Sequence, residues 1–167
     1  MVGKNDVPEF VIEREFSAPR ELVWKCWTDA KRLARWWVPG QFSWGGATLD
    51  LRVGGMFHYC MRWPDGRDMW GKFVYHEIVA PERLVFVSSS SDKDGGITRA
   101  PWFADWPLEV LNTLVLHDAG AKTKMRLSAH PINANDAELK RFVMAQPGMS
   151  QGFGGVFKQL DQLLVDG

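Results

Sequence analysis

The chain has 167 residues, a length that fits one domain with one core, and twenty Lys and Arg balance twenty Asp and Glu to a formal charge of zero. That balance offers no basic field for nucleic acid or an acidic membrane surface. No apolar run nears the roughly 18 residues of a membrane span, and Met1 to Pro8 lacks the apolar centre of a signal peptide. A cytoplasmic protein is therefore expected, with residues 1–7 as a flexible segment and residues 1–167 as a single domain. Cys26 and Cys60 have no CxxC partner and read as small buried side chains rather than a disulfide or zinc framework. Nine Trp, ten Phe and seven Met supply large, adaptable apolar area. That is material for a big core or for an apolar cavity.

From Glu9 to Phe16, Phe10, Ile12, Arg14 and Phe16 alternate with Val11, Glu13 and Glu15, which predicts a half-buried strand. Ser17 offers a cap and Pro19 suits a first helical turn, so a short helix is expected over Pro19–Trp27. Thr28 or Asp29 can cap a second, carrying Leu33, Ala34, Trp36 and Trp37 and stopping before Pro39-Gly40. From Phe42 to Ala129 short β-type runs alternate with turn residues, the pattern of an antiparallel meander. Met56–Trp63 and Asp68–Val79 flank Asp65-Gly66, a hairpin signal. A two-residue loop there would set Met61 opposite Trp70, Tyr59 opposite Lys72 and Phe57 opposite Val74. Met56, His58, Cys60, Met69, Phe73 and Tyr75 would then share the other face. Both faces are largely apolar, so both ask for cover, and a homodimer is one way to supply it. Leu84–Ser88, Leu108–His117 and Thr123–Ala129 give three more strands. Asn135–Val165 reads as a helix capped by Asn135 or Asp136, with Pro147-Gly148 expected to interrupt or kink it. Gly152, Gly154 and Gly155 in its second half would suit close packing of helix on sheet.

A strand, two short helices, a run of antiparallel strands and a long last helix describe an α+β domain whose curved sheet wraps around one helix. The residues resemble a known family as well. Val23-Trp24-Lys25-Cys26-Trp27-Thr28-Asp29, Trp36-Trp37-Val38-Pro39, Asp50-Leu51-Arg52-Val53-Gly54-Gly55, Met61-Arg62-Trp63-Pro64-Asp65-Gly66 and Pro81-Glu82-Arg83-Leu84-Val85-Phe86 stand in the order and spacing of AHSA-type domains. That family is named for the activator of the heat-shock protein 90 ATPase and falls in the START-like, or SRPBCC, helix-grip superfamily. The resemblance spans nearly the whole chain. It implies a cavity between concave sheet and long helix, of the kind used for lipids, hormones and polyketides. Where many relatives carry Gly-Trp in the last helix, this chain has Gly152-Phe153. The chain has no room for the separate chaperone-binding domain of the eukaryotic co-chaperone, so chaperone activation is not carried over.

The chemistry-bearing residues argue against a catalytic centre. His58, His76, His117 and His130 are dispersed without HxH or HExxH spacing. Ser88–Ser91 lacks a nucleophile elbow, and no acid and base pair is legible. Neither a metal, a cofactor nor a catalytic residue is assigned. Asp50 and Arg52, alternating on one strand, are expected to form a structural ion pair. The aromatic residues carry the functional reading. Trp36, Trp37 and Phe42 flank the expected cavity mouth, with Trp37 and Phe42 taken as ligand contacts. Phe57, Tyr59, Met61, Trp70 and Phe86 are assigned to the sheet wall, and Phe153 and Phe157 to the helix wall. Trp102, with Phe103 and Trp106, is expected as a lid. Tyr59, Arg62 or His58 would anchor a polar group. The function expected is binding of a small apolar or aromatic molecule. A protein-interaction module linked to stress or chaperones, and a cyclase- or hydrolase-like enzyme, are the alternatives.

Overall fold

A computed structural model describes residues 7–166; the expected flexible segment 1–7 lies outside them except for its last residue. Seven strands form one antiparallel sheet: β1 Phe10–Phe16, β2 Ser43–Leu49, β3 Met56–Arg62, β4 Asp68–Val79, β5 Arg83–Ser91, β6 Glu109–Ala119 and β7 Lys122–Ile132. Their order is β1-β7-β6-β5-β4-β3-β2, so successive strands neighbour one another and only β1 crosses to pair with β7. Helices α1 Arg20–Thr28 and α2 Ala30–Trp36 connect β1 to β2, and α3 Asp136–Asp166 ends the chain. This is the helix-grip architecture expected from the order of elements.

The first strand and the helix pair follow local chemistry closely. Phe10 and Phe16 are buried at the two ends of β1. Pro19, not Ser17, occupies the cap position of α1, and its carbonyl accepts from the Leu22 and Val23 N–H groups. Asp29 ends α1 and starts α2, its carboxylate accepting from the Lys31 N–H at 3.1 Å. The Trp36 indole donates to the Cys26 carbonyl at 2.8 Å, locking the two helices together. Gln159 of α3 then donates to the carbonyls of both Trp36 and Val38 at 2.8 Å, fixing where α2 ends.

The β3–β4 hairpin departs from the two-residue loop. Trp63 pairs with Arg67 around a three-residue turn, Pro64-Asp65-Gly66, with Gly66 at φ +91°. Register therefore moves by one: Met61 faces Met69, Tyr59 faces Gly71 and Phe57 faces Phe73. A one-residue shift flips the side chains of β4 to the opposite face relative to β3. Phe57, Tyr59, Met69, Phe73 and Tyr75 now share the buried concave face. Trp70 and Lys72 join Met56, His58 and Cys60 on the convex one. Only the concave face carries most of the aromatic residues, and the convex face is partly covered from within the chain. Lys72 donates to the Gly95 carbonyl at 2.7 Å, and His58 Nε2 lies 3.0 Å from the Asp92 carbonyl, so the β5–β6 connection folds over it. The two-faced hairpin that motivated a dimer is absent.

Three further expectations change. Helix α3 is continuous through Pro147, so of the expected interruption or kink the interruption does not occur. An alanine methyl at Gly152, Gly154 or Gly155 would meet nothing within 4 Å, so these glycines do not serve close packing. Asp50 and Arg52 lie in the exposed connection after β2 rather than on a strand, paired at 2.7 Å.

Candidate functional site

The concave face of the sheet and α3 enclose an aromatic core that does not close completely. Phe157 is fully buried, its ring among Phe16, Trp27 and Trp36 at centroid distances of 6.2, 6.3 and 6.2 Å. One turn earlier, Phe153 stacks on Phe10 at 5.7 Å and lies 6.3 Å from Trp37. Across the sheet, Phe73 stacks on Phe86 at 4.2 Å. Between Phe153 and that pair lies a cleft of about 150 Å³. A second, more open lobe of about 230 Å³ runs between Pro39, Met149, Gly152 and Val156. Trp37, Tyr59, Met61 and Phe153 line both lobes.

Of the ten residues assigned to ligand contact from sequence, Trp37, Tyr59, Met61, Phe86, Trp102 and Phe153 line the cleft. Trp70 borders it too, but its ring stacks on His58 at 4.7 Å, as the hairpin register requires. Phe42 packs on Trp63 at 4.5 Å, away from either lobe. Phe57 and Phe157 are fully buried core residues that line neither. Phe153 and Phe157 meet aromatic rings of β1 and the helix pair; the central strands face Phe153 only across the cleft. The proposed anchors Arg62 and His58 also lie elsewhere: Arg62 pairs with Asp68 at 3.0 Å on the rim, and His58 faces the convex side.

Tyr59 remains in place. Burial pushes its phenol up, partly offset by the Trp37 side chain, so it is neutral at ordinary pH. Its hydroxyl lies over Gly71, where a methyl group would stand 2.5 Å from it.

The lining side chains not assigned from sequence include apolar ones, Met69 and Phe73, which the two-residue turn put on the other face, and Met149 and Val156 of α3, together with a polar group. Ser88, Ser89, Ser90 and Asn112 line the deeper lobe. Asn112 is 6% exposed, and its Nδ2 donates to Ser88 Oγ at 2.9 Å, the Val110 carbonyl at 3.0 Å and the Phe86 carbonyl at 3.5 Å. Its signal was the alternation of β6: Asn112 stands in phase with Val110, Leu114 and Leu116, a polar residue on an apolar face. Ser88 stands likewise in phase with Leu84 and Phe86.

The loop between β5 and β6 covers the deep end. Trp102 and Trp106 line the cleft, and two ion pairs tie the loop to the start of α3: Arg99 with Glu138 at 2.5 Å, and Arg141 with Asp105 at 2.8 Å. Arg141 also lies 4.3 Å from the centre of the Phe103 ring. Among the described residues no three His, Cys, Asp or Glu side chains group as metal ligands, and no helix is long and apolar enough to cross a membrane.

A seven-stranded antiparallel sheet closed over a long terminal helix, with an aromatic cleft between them, defines a START-like helix-grip protein. The sequence pattern of the family described as activator of Hsp90 ATPase homolog 1-like protein matches residues 17–165, and the chain belongs to that family. Similar solved structures include protein Ms6760 of Mycobacterium smegmatis, 25% identical with a TM-score of 0.74 over 95% of this chain and 91% of that one. A protein of Arthrobacter aurescens is 26% identical, with a TM-score of 0.78 over 99% and 90%. An AHSA1 protein of Silicibacter pomeroyi, at 17% identity and a TM-score of 0.67 over 95% and 98%, shares the fold. No curated protein matches the chain.

Proposed function

We propose that this protein binds a small apolar or aromatic molecule in the cleft between Phe153 and the Phe73–Phe86 pair. The observation that carries this reading is the incomplete closure of an otherwise tightly packed aromatic core. Interiors are normally filled to crystal-like density, yet two lobes of about 150 and 230 Å³ sharing four lining residues stand open here. Burial of apolar ligand area at roughly 25 cal/mol per Å² supplies the driving force, less the cost of association. An interaction module working through surface aromatics would have no use for this space, which favours the small-molecule reading over the chaperone-linked one.

The test uses N-phenyl-1-naphthylamine, a neutral dye that brightens in apolar surroundings. A saturable, single-site enhancement is expected, reduced at least several-fold by Phe153→Trp, because the larger ring fills the space shared by both lobes. Absence of saturable enhancement, or saturation unaffected by Phe153→Trp in a folded variant, rejects the cleft as the site.

A further inference from the structure

Resting on the reading above, we infer that the cleft selects neutral, flat aromatic molecules carrying one hydrogen-bond donor, which is given to Asn112 Oδ1.

The neutral requirement follows from the lining. Among the described residues, neither lobe is lined by an Asp, Glu, Lys, Arg or His side chain. A charged ligand would leave water without a counter-charge, and an unpaired buried charge is far costlier than an unpaired dipole. The flat aromatic shape follows from the rings that face the deep lobe, Trp37, Tyr59, Phe73, Phe86, Trp102 and Phe153, which offer stacked and edge contacts.

The donor requirement follows from the amide of Asn112. Its Nδ2 faces two backbone carbonyls and Ser88 Oγ. Carbonyls only accept, so the reversed amide would set oxygen against oxygen, and the neighbours fix the orientation. Among the described residues Oδ1 accepts no hydrogen bond, although the side chain is more than nine-tenths buried and lines the cleft. Oδ1 is not fully enclosed, which leaves it open to the cleft that Asn112 lines; a ligand that displaces water from it leaves the acceptor unpaired unless it brings an O–H or N–H of its own. Position adds to this: Asn112 pairs with Phe86 across β5 and β6, so a ring resting on Phe86 brings a substituent to the amide.

Displacement of N-phenyl-1-naphthylamine by four bicyclic compounds tests the inference. An apolar cavity alone prefers naphthalene and 2-methoxynaphthalene to 2-naphthol, because the hydroxyl must leave water. The inference predicts the reverse, with 2-naphthol about 3- to 10-fold tighter than both, the worth of one net hydrogen bond. 2-Naphthalenesulfonate should fail to displace the dye even about 100-fold above the 2-naphthol midpoint. In Asn112→Leu, with each midpoint referred to the dye affinity of that variant, the 2-naphthol preference over naphthalene and 2-methoxynaphthalene should be abolished. Equal or reversed ranking in the wild-type protein overturns the inference, and needs no variant to fold. So does displacement by the sulfonate, or a preference that survives Asn112→Leu. Failure of the dye itself to bind would instead remove the cleft as a binding site, so the two failures are distinguishable.

Discussion

Beneath the Tyr59 hydroxyl the sheet has no side chain, because position 71 is glycine, and this absence lets the phenol lie flat against β4. Gly71→Ala would place a methyl 2.5 Å from the hydroxyl, so the ring must move toward the cleft. A loss of roughly 1–3 kcal/mol is expected, measured by urea unfolding, and the loss should shrink in a Tyr59→Leu background. The helix glycines behave oppositely. Gly154→Ala and Gly155→Ala meet open space and should each stabilise by about 0.5–1 kcal/mol through the reduced freedom of the unfolded chain. Phe157→Ala, at a fully buried site, should cost about 3–5 kcal/mol. Equal costs for Phe157→Ala and Phe153→Ala would contradict the distinction between a core ring and one bordering a void, since the second should cost less.

Element boundaries were legible wherever capping and periodicity agreed. The N-terminus of α3 is a reciprocal box: Asn135 Oδ1 accepts from the Glu138 N–H at 2.8 Å, and Glu138 Oε1 accepts from the Asn135 N–H at 2.9 Å. Asn135→Ala should cost about 1 kcal/mol. Burial opposes ionisation of Glu138, but the Asn135 N–H and Arg99 together outweigh it and hold the carboxyl below its ordinary 4.5. A lowered folded pKa means that this contribution is present above the unfolded value and is lost as pH falls through the folded one. Unfolding midpoints of wild type and Glu138→Gln should therefore differ at pH 6 and converge well below pH 4.5. A difference that does not shrink at all as pH falls below 4.5 would contradict the assignment. The hairpin was misread because Asp65-Gly66 fits either a two- or a three-residue turn, and turn length alone decides which face of β4 is inward. That α3 packs into the curved sheet was legible from the order of elements, but its partners were not: nothing in the periodicity of α3 says that Phe153 and Phe157 meet β1 and the helix pair.

At the scale of the molecule, the aromatic excess divides between a closed core and an open cleft. Composition could announce both but not apportion them. Phe57 and Phe157 fell to the core, while Trp37 and Phe153 fell to the boundary. The polar wall of the cleft escaped notice because Asn112 and Ser88 carry no motif; they matter only through phase on adjacent strands. With Met69, Phe73 and Tyr75 turned inward, the convex face of the hairpin offers a second copy less apolar area. A mass near 19.0 kDa, unchanged on dilution in light scattering, is now the expected result, and a stable dimer would require another interface.

The methionines report on the cleft most directly. Met61, Met69 and Met149 line it, Met125 is buried in the core away from it, and Met144 is exposed on α3. In a methyl-resolved NMR titration with 2-naphthol, the three lining methyls should shift together with one midpoint. Met125 and Met144 should stay in place. Shifts confined to Met144, or no shift at any of the three at saturating ligand, would contradict a binding cleft between sheet and helix.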